Sequence, residues 1–364
     1  MFSTILLGAW TVMHVYVFWR ASSVPAVARR VSGRALALTA VIVGSTLFVS
    51  RALDRDTAGP AAEALDALAL HWLAALFLVS CCLFAVDVVT AFGLAFRGAV
   101  PALRGGAFVA GGVLTASALF QGLRAPVVED HVVRLRGLPR EADGTVIVAL
   151  SDLHVGTAPG PSWLEACVEQ VNALRPDVVV LVGDVVEGHG VAEADLPPIF
   201  RRLAARLGVW AVTGNHDAHG EESLRLLGDG GVRVLLDEWA ELRPGLVLAG
   251  VRDPGRSQSP GASGRLERSL AGRPAGAATV LLSHRPQRVD DAAGLGVGLM
   301  LCGHTHGGQI WPVTYVADAV NGWAAGRHEV GDMTLIVSRG AGTWGPRMRL
   351  WPAGEILRIT LRAE

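Results

Sequence analysis

Apolar positions along this chain follow two different rhythms. Up to residue 123 they run in long blocks, and after residue 145 they come as short runs broken by polar, glycine-rich turns. The blocks Phe2–Trp19, Ala35–Ser50, Leu68–Phe92 and Ala107–Leu123 approach or exceed the ~20 helical residues that cross a bilayer, so four spans are expected. A cleaved leader does not fit the first block, which lacks a basic segment before it and is followed by three more. Arg20, Arg29, Arg30 and Arg34 fall in the first loop and Arg97 and Arg104 in the third, while the second holds Arg51 and Arg55. Arginine-rich short loops stay in the cytoplasm. Both ends of the span region, and with them residues 124–364, are therefore expected on the periplasmic or extracellular face of the plasma (inner) membrane. Arg124, Arg134 and Arg136, just past the last span, pull the other way.

The second rhythm reads as an α/β domain. Thr145–Ser151, Val178–Val182 and Val209–Thr213 are continuous apolar runs, as buried strands require. Further strands are predicted at Leu246–Ala249, Thr279–Ser283, Gly298–Leu301, Met333–Ser338 and Ile356–Leu361. Ser162-Trp-Leu-Glu165 reads as a capping box that opens a helix ending near Leu174, and Leu196–Leu207 reads as another helix. Residues 1–123 thus form a membrane region, 124–144 a linker and 145–364 the second domain.

Composition sharpens this division. The chain of 364 residues is 51% hydrophobic and 18% charged, with a mean hydropathy of +0.40. The charge is unevenly spread, with five acids and eight arginines in residues 1–123 against 28 and 24 afterwards. Net charge is −1 and no basic run stands out, so nucleic acid is not an expected partner. All 32 cationic side chains are arginine, which excludes Schiff-base and P-loop lysine chemistry. The four cysteines, Cys81, Cys82, Cys167 and Cys302, have neither metal spacing nor a disulfide pattern. His71 and Asp87 within the third apolar block are expected near its two interfaces.

The chemistry lies just past the strands. Thr145–Ser151 is followed by Asp152-Leu153-His154, Val178–Val182 by Gly183-Asp184, and Val209–Thr213 by Gly214-Asn215-His216-Asp217. Thr279–Ser283 is followed by His284, and the next strand by Gly303-His304-Thr305-His306. In α/β sheets the ligand crevice lies beyond the carboxyl ends of strands. Five of 11 histidines and one of three asparagines fall there, more than core packing explains. Carboxylate, amide and imidazole donors together suit Mn, Fe or Zn.

These motifs, in this order, resemble the signature of calcineurin-like metallophosphoesterases across roughly Val146–Leu361. The run from Gly303 to Gln309, and Val337-Ser-Arg-Gly-Ala-Gly342 with Arg347, are similar to a bacterial branch of membrane-linked phosphohydrolases, and the whole chain resembles transmembrane metallophosphoesterases. The resemblance implies a four-layer αββα sandwich with two divalent metal ions. Asp152, His154 and His306 are then expected to hold one metal and Asn215, His284 and His304 the other, with Asp184 between them. It also implies that a metal-bridging hydroxide attacks phosphorus while His216 acts as general acid, oriented by Asp217. The resemblance implies a phosphoester or pyrophosphate substrate, and the spans favour a phospholipid or other envelope lipid. The competing readings are a non-catalytic membrane scaffold that keeps the fold, which predicts lost ligands, and a transporter or sensor served by His71 and Asp87. His189 and His219 read as loop residues near the site, Asp253 as a turn residue, and Arg285, Arg339, Arg347 and Arg349 as arginines available to phosphate.

Overall fold

The computed structural model describes residues 2–53, 55–156, 160–186, 195–217, 221–255 and 264–364. The chain divides into two units. One runs to Leu123 and includes Gly345–Leu350; the other is Arg124–Trp344 with Trp351–Glu364.

The first unit is helical. It comprises α1 (Phe2–Ser22), the single turn α2 (Pro25–Ala28), α3 (Gly33–Ala52), α4 (Arg55–Val89) and α5 (Val100–Leu123). Many of these residues are β-branched, yet they form helices. In a bilayer only intrasegment hydrogen bonding satisfies an isolated apolar backbone. Among the described residues three segments are long and apolar enough to cross a membrane: Gly33–Ala52, Ala61–Val89 and Val100–Leu123. The expected first span lies in α1, whose first side chains fall outside the described residues. Ser32 caps α3 by accepting a hydrogen bond from Ala35 N. Trp10, Leu47, Leu76 and Leu83 make the buried centre of the unit, while Val41, Val109 and Phe120 face outward.

Asp87 lies two residues before the C-terminal end of α4. It is fully buried, with Arg20 Nε 2.7 Å from Oδ2 and Tyr16 donating to the same oxygen at 2.6 Å. Arg104 donates to Oδ1 through Nε and Nη2, at 3.3 and 3.0 Å. One carboxylate thus joins α1, α4 and α5. The segment that carries Arg347 and Arg349 groups with these helices. Arg347 N donates to His71 Nε2 (3.2 Å) and Arg349 N to Ala118 O (2.9 Å).

The second unit carries, in chain order, β1 (Val127–Leu135), β2 (Val146–Leu150), α6 (Pro161–Ala173), β3 (Val178–Val182), α7 (Leu196–Phe200) and β4 (Val209–Val212). Then come α8 (Glu221–Asp229), β5 (Arg233–Val234), β6 (Glu238–Arg243), β7 (Leu246–Val251), α9 (Arg265–Leu270) and β8 (Ala278–Ser283). The chain closes with α10 (Val289–Gly294), β9 (Leu299–Cys302), α11 (Val313–Asn321), β10 (Gly326–Val330), β11 (Met333–Val337) and β12 (Glu355–Ala363). The strands form two six-stranded sheets, β1-β12-β2-β3-β4-β5 and β10-β11-β9-β8-β7-β6.

Side-chain alternation builds the layers. Val178, Val180 and Val182 of β3 enter the core between the sheets, where they join Leu248, Val280, Leu301 and Ile336 of the other sheet. Val179 and Leu181 point the opposite way, among Leu164 and Val168 of α6, Phe200 of α7 and Leu227 of α8. Leu281 and Met300 face Leu266 of α9 and Val289 of α10. The order is helix, sheet, sheet, helix, as the resemblance implied.

Three local expectations are corrected. The stretch 124–144 is no mere linker, since β1 pairs in parallel with β12 along its whole length. Glu129, Asp130 and His131 interrupt its apolar pattern, and Asp130 spends its charge on Arg358 across the pair. The capping box at Ser162 does not form: α6 begins at Pro161 behind Gly160, with no side-chain cap. The helix expected to reach Leu207 stops at Phe200.

Candidate metal centre

The loops after β2, β3, β4, β8 and β9 bring their polar residues to one place. Asp152 (φ 55°), His154 (47°), Asp184 (50°), His304 (71°) and His306 (49°) all sit in the left-handed region. That region is uncommon for residues with a Cβ and collects at functional sites. Each turn swings a side chain off the line of its strand and toward the neighbouring loops.

Two clusters result. In the first, one ligand atom each from Asp152, His154 and His306 lie within 4.8 Å of one another. His154 Nε2 and His306 Nε2 are 3.2 Å apart, and His306 Nε2 is 3.5 Å from Asp152 Oδ1. Asp184, His284 and His304 form the second cluster on the same criterion, with His284 Nε2 3.1 Å from Asp184 Oδ2. Asp184 Oδ2 also lies 3.8 Å from His154 Nε2, so this carboxylate faces both clusters.

The surrounding backbone fixes these groups. Asp152 accepts from His304 N with both oxygens (3.1 Å each) and from Ser151 Oγ. Asp184 Oδ1 accepts from His216 N at 2.8 Å. His284 Nδ1 is 2.9 Å from Val182 O, which makes Nδ1 the protonated nitrogen and turns Nε2 to Asp184. Two glycines allow the loops to close. A Cβ on Gly214 would stand 2.1 Å from Asp184 Oδ1 and 2.3 Å from Asp184 N. A Cβ on Gly303 would stand 1.7 Å from Ser151 Oγ.

Electrostatics follow from this crowding. Burial would press the His284 imidazole down, but the Asp184 and Asp152 carboxylates outweigh it and raise it to about 10. Burial also opposes charge on Asp184, yet His284, His154 and His216 hold its carboxyl well below the usual carboxylate range. Asp152 is pushed up by burial and by Asp184. His304 is lowered to about 4, first by burial and then by His284 and Arg285.

The donors fit divalent metal ions. Asn215 Oδ1 is buried without a hydrogen-bond donor, which is costly for a polar atom unless something else satisfies it. Two imidazole nitrogens 3.2 Å apart, with carboxylates on either side, match the nitrogen and oxygen set that Mn, Fe or Zn takes.

Asp217 sits differently from its expected place beside the His216 ring. Its carboxylate accepts from Gly214 N (2.9 Å), Val185 N (3.0 Å) and Val186 N (3.1 Å), stapling the loop after β4 to the loop after β3. Burial and the nearby Asp184 raise its carboxyl, while the three amides work against that rise. The His216 ring lies 5.1 Å from the His154 ring and 6.2 Å from Trp344.

Sequence reasoning gave no role to Gln309, Trp344 or the Gly340–Gly342 turn. Gln309 Nε2 donates to Trp344 O (3.0 Å) and Trp344 N to Gln309 Oε1 (2.9 Å), which fixes the backbone of the residue whose indole lies edge-on to His216. Ala341 N and Gly342 N donate to Ser151 O and Asp152 O. The motif that marked the bacterial branch therefore braces the first candidate ligand. The arginines offered to phosphate are engaged elsewhere: Arg285 with Asp253 (3.0 Å), and Arg339 with Glu129 (2.8 Å) and Glu355 (2.5 Å). Asp253 Oδ1 also accepts from Gly255 N, as a turn residue does. His189 and His219 lie outside the described residues.

Comparison with known proteins bears on the family. A family model described as calcineurin-like phosphoesterase matches residues 145–308. A Danio rerio protein named transmembrane protein with metallophosphoesterase domain is 33% identical over 264 residues, covering 69% of this chain and 60% of that protein. Its Bos taurus counterpart is 32% identical over 274 residues, again covering 60% of that protein. An uncharacterized metallophosphoesterase of Aquifex aeolicus is 30% identical over 249 residues, covering 65% of this chain and 92% of that protein. This chain thus spans about 60% of the length of the two transmembrane relatives.

Proposed function

We propose, from the premise that this chain belongs to the calcineurin-like metallophosphoesterase family, that it is a membrane-anchored two-metal phosphohydrolase acting on a phosphoester or pyrophosphate bond. The observation that carries this reading is Asp184, a single buried carboxylate that belongs to one donor cluster and also faces His154 of the other.

Asp152, His154 and His306 would hold one divalent ion, and His284, His304 and Asn215 the other, with Asp184 shared. When bound, two such ions supply Lewis acidity toward a phosphoryl oxygen and toward the attacking water. The chain's own residues do the rest. Asp152 and Asp184 bring negative charge that balances the ions. The Val182 carbonyl fixes the His284 tautomer. His216 stands beside the first cluster, with its backbone N–H bound to Asp184, and serves as the acid that gives a proton to the leaving oxygen. Trp344 lies edge-on to that ring. Asp217 positions His216 through the backbone, by holding Gly214 and the loop after β3 together.

The three apolar helices among the described residues support a substrate met at a membrane, and a lipid-linked or envelope-derived phosphoester is the reading we favour. The arginine distribution favours catalysis on the outer face of the plasma membrane. The test is turnover of a chromogenic phosphodiester by the full chain, supplied with Mn2+ in detergent. Asp184→Asn and His216→Ala should each lose activity by orders of magnitude, and only Asp184→Asn should lose bound metal. Wild-type turnover in both variants would overturn the mechanism.

A further inference from the structure

One surface of the second unit runs against the usual rule for a soluble domain. Helix α11 is strongly amphipathic, yet it turns its apolar side outward. Tyr315, Val316 and Val320 are 68%, 60% and 78% exposed, and Ala319 is exposed beside them. These positions form one stripe along the helix. The polar positions Thr314, Asp318 and Asn321 are half-buried on the other side. Trp311, just before the helix, packs edge-on against Trp351 with ring centroids 6.2 Å apart, and both indoles are exposed. A contiguous apolar face of this kind marks an interaction surface.

The occupant follows from what the face offers and what the chain carries. Among the described residues of α11 the single charge is Asp318, and it lies off the stripe, so nothing there recognises a charged peptide or a nucleic acid. Trp and Tyr beside aliphatic side chains are the residues that settle where headgroups meet acyl chains. Among its described residues the same chain has three helices of membrane-crossing length, so a bilayer is held at high effective concentration near every part of it. In chain order, Trp344 and Trp351 bracket residues 345–350, which group with those helices.

We propose that α11, together with Trp311 and Trp351, seats in the interfacial layer of the lipid bilayer. The consequence reaches the metal centre. The first turn of α11 packs directly on the His306–Gly308 turn, where a Cβ on Gly308 would stand 2.4 Å from Thr314 Cα. Seating this helix therefore holds the rim of the candidate site at the membrane surface, where the phosphate of an amphiphile is presented. An interfacial helix sinks its apolar face ~5–10 Å into the headgroup–acyl boundary, so a shallow lipid label should reach it.

The test uses the full chain in phosphatidylcholine–phosphatidylglycerol nanodiscs, with Cys81 and Cys82 replaced by alanine. An environment-sensitive dye is placed at Val316→Cys, and in a separate sample at Arg225→Cys on the exposed side of α8. The dye at 316 should lose emission to a lipid spin-labelled near its glycerol end and resist aqueous iodide, while the dye at 225 shows the reverse. In a second variant, Val316→Asp with Val320→Asp should abolish lipid quenching of a dye at Tyr315→Cys without moving the unfolding midpoint, because both side chains are exposed. Iodide quenching at 316 equal to that at 225 would overturn the proposal. Protection from both quenchers in nanodiscs holding two copies would overturn it too, in favour of self-association. Neither readout depends on catalysis, so its failure is separable from failure of the phosphohydrolase reading.

Discussion

Gly214→Ala is the substitution through which the geometry of the centre is most directly measured. The added methyl would stand 2.3 Å from Asp184 N, a backbone atom that cannot rotate away. Ordinary contact between such atoms needs about 3.5 Å, so the loops after β3 and β4 must part by roughly 1 Å. Asp184 Oδ1 holds His216 N, and the displacement therefore reaches the proposed proton donor as well as the carboxylate that faces both clusters. Overpacking of this size costs about 1–3 kcal/mol of stability, or roughly 2–12 °C in Tm for a domain of this size. A 1 Å error in a reacting constellation costs about 100-fold in rate. The assay is kcat/KM on a chromogenic phosphodiester, with bound metal and unfolding midpoint measured on the same samples. Gly228→Ala is the control: Gly228 lies in α8 with nothing within 4 Å of its Cβ position, so alanine there should leave turnover unchanged and add about 0.5–1 kcal/mol. Full turnover and full metal content in Gly214→Ala would refute the close approach and the reasoning built on it.

Three further outcomes follow from other contacts. Asp217→Asn leaves the buried Gly214 N–H facing an amide donor, at about 1–3 kcal/mol, partly offset by removing a buried charge near Asp184; bound metal and midpoint should fall together, whereas a shifted pH–rate limb with metal intact would return Asp217 to orienting the His216 ring. Asp87→Asn strips the buried Arg20 and Arg104 of their charge partner, a change worth about 3–5 kcal/mol; unfolding of the full chain in mild detergent should show it, and an unmoved midpoint would contradict the ion cluster. Two hydrogen bonds from Arg288 hold the Glu267 carboxyl at about 2, below its ordinary value of 4.5, so its stabilisation is present above 4.5 and is lost as pH falls through 2. Arg288→Gln should return the Glu267 titration toward 4.5, as followed by its carboxyl carbon shift, and no movement would show that the pair is not formed in solution.

What could be read from the chain depended on range. Buried strands such as Val178–Val182 announce themselves because both faces are covered, and the ligand candidates follow within a few residues. β1 hides because its middle carries Glu129, Asp130 and His131 on an edge, and β5 has only two residues. Roles that depend on distant partners were also hidden. Asp217 sits next to His216 in sequence but spends its carboxylate on amides 31 and 32 residues away. Gln309 meets Trp344 across 35 residues, and Arg347 meets His71 across 276. The partners of Asp87 are hidden for the same reason, because a linear apolar block gives no hint of which helices surround it.

The place of β1 bears on how the second unit should be produced alone. The family match begins at residue 145, which invites a truncation there. Such a protein would lack Val127–Leu135, and β12, with its nine paired residues, would become a bare sheet edge. Val133 and Leu135, both wholly buried, would leave a gap between the sheets. An exposed edge of that length recruits other chains and precipitates. Insolubility of the shorter protein would then be misread as dependence on the membrane helices, when the missing element is a strand that belongs to the domain itself.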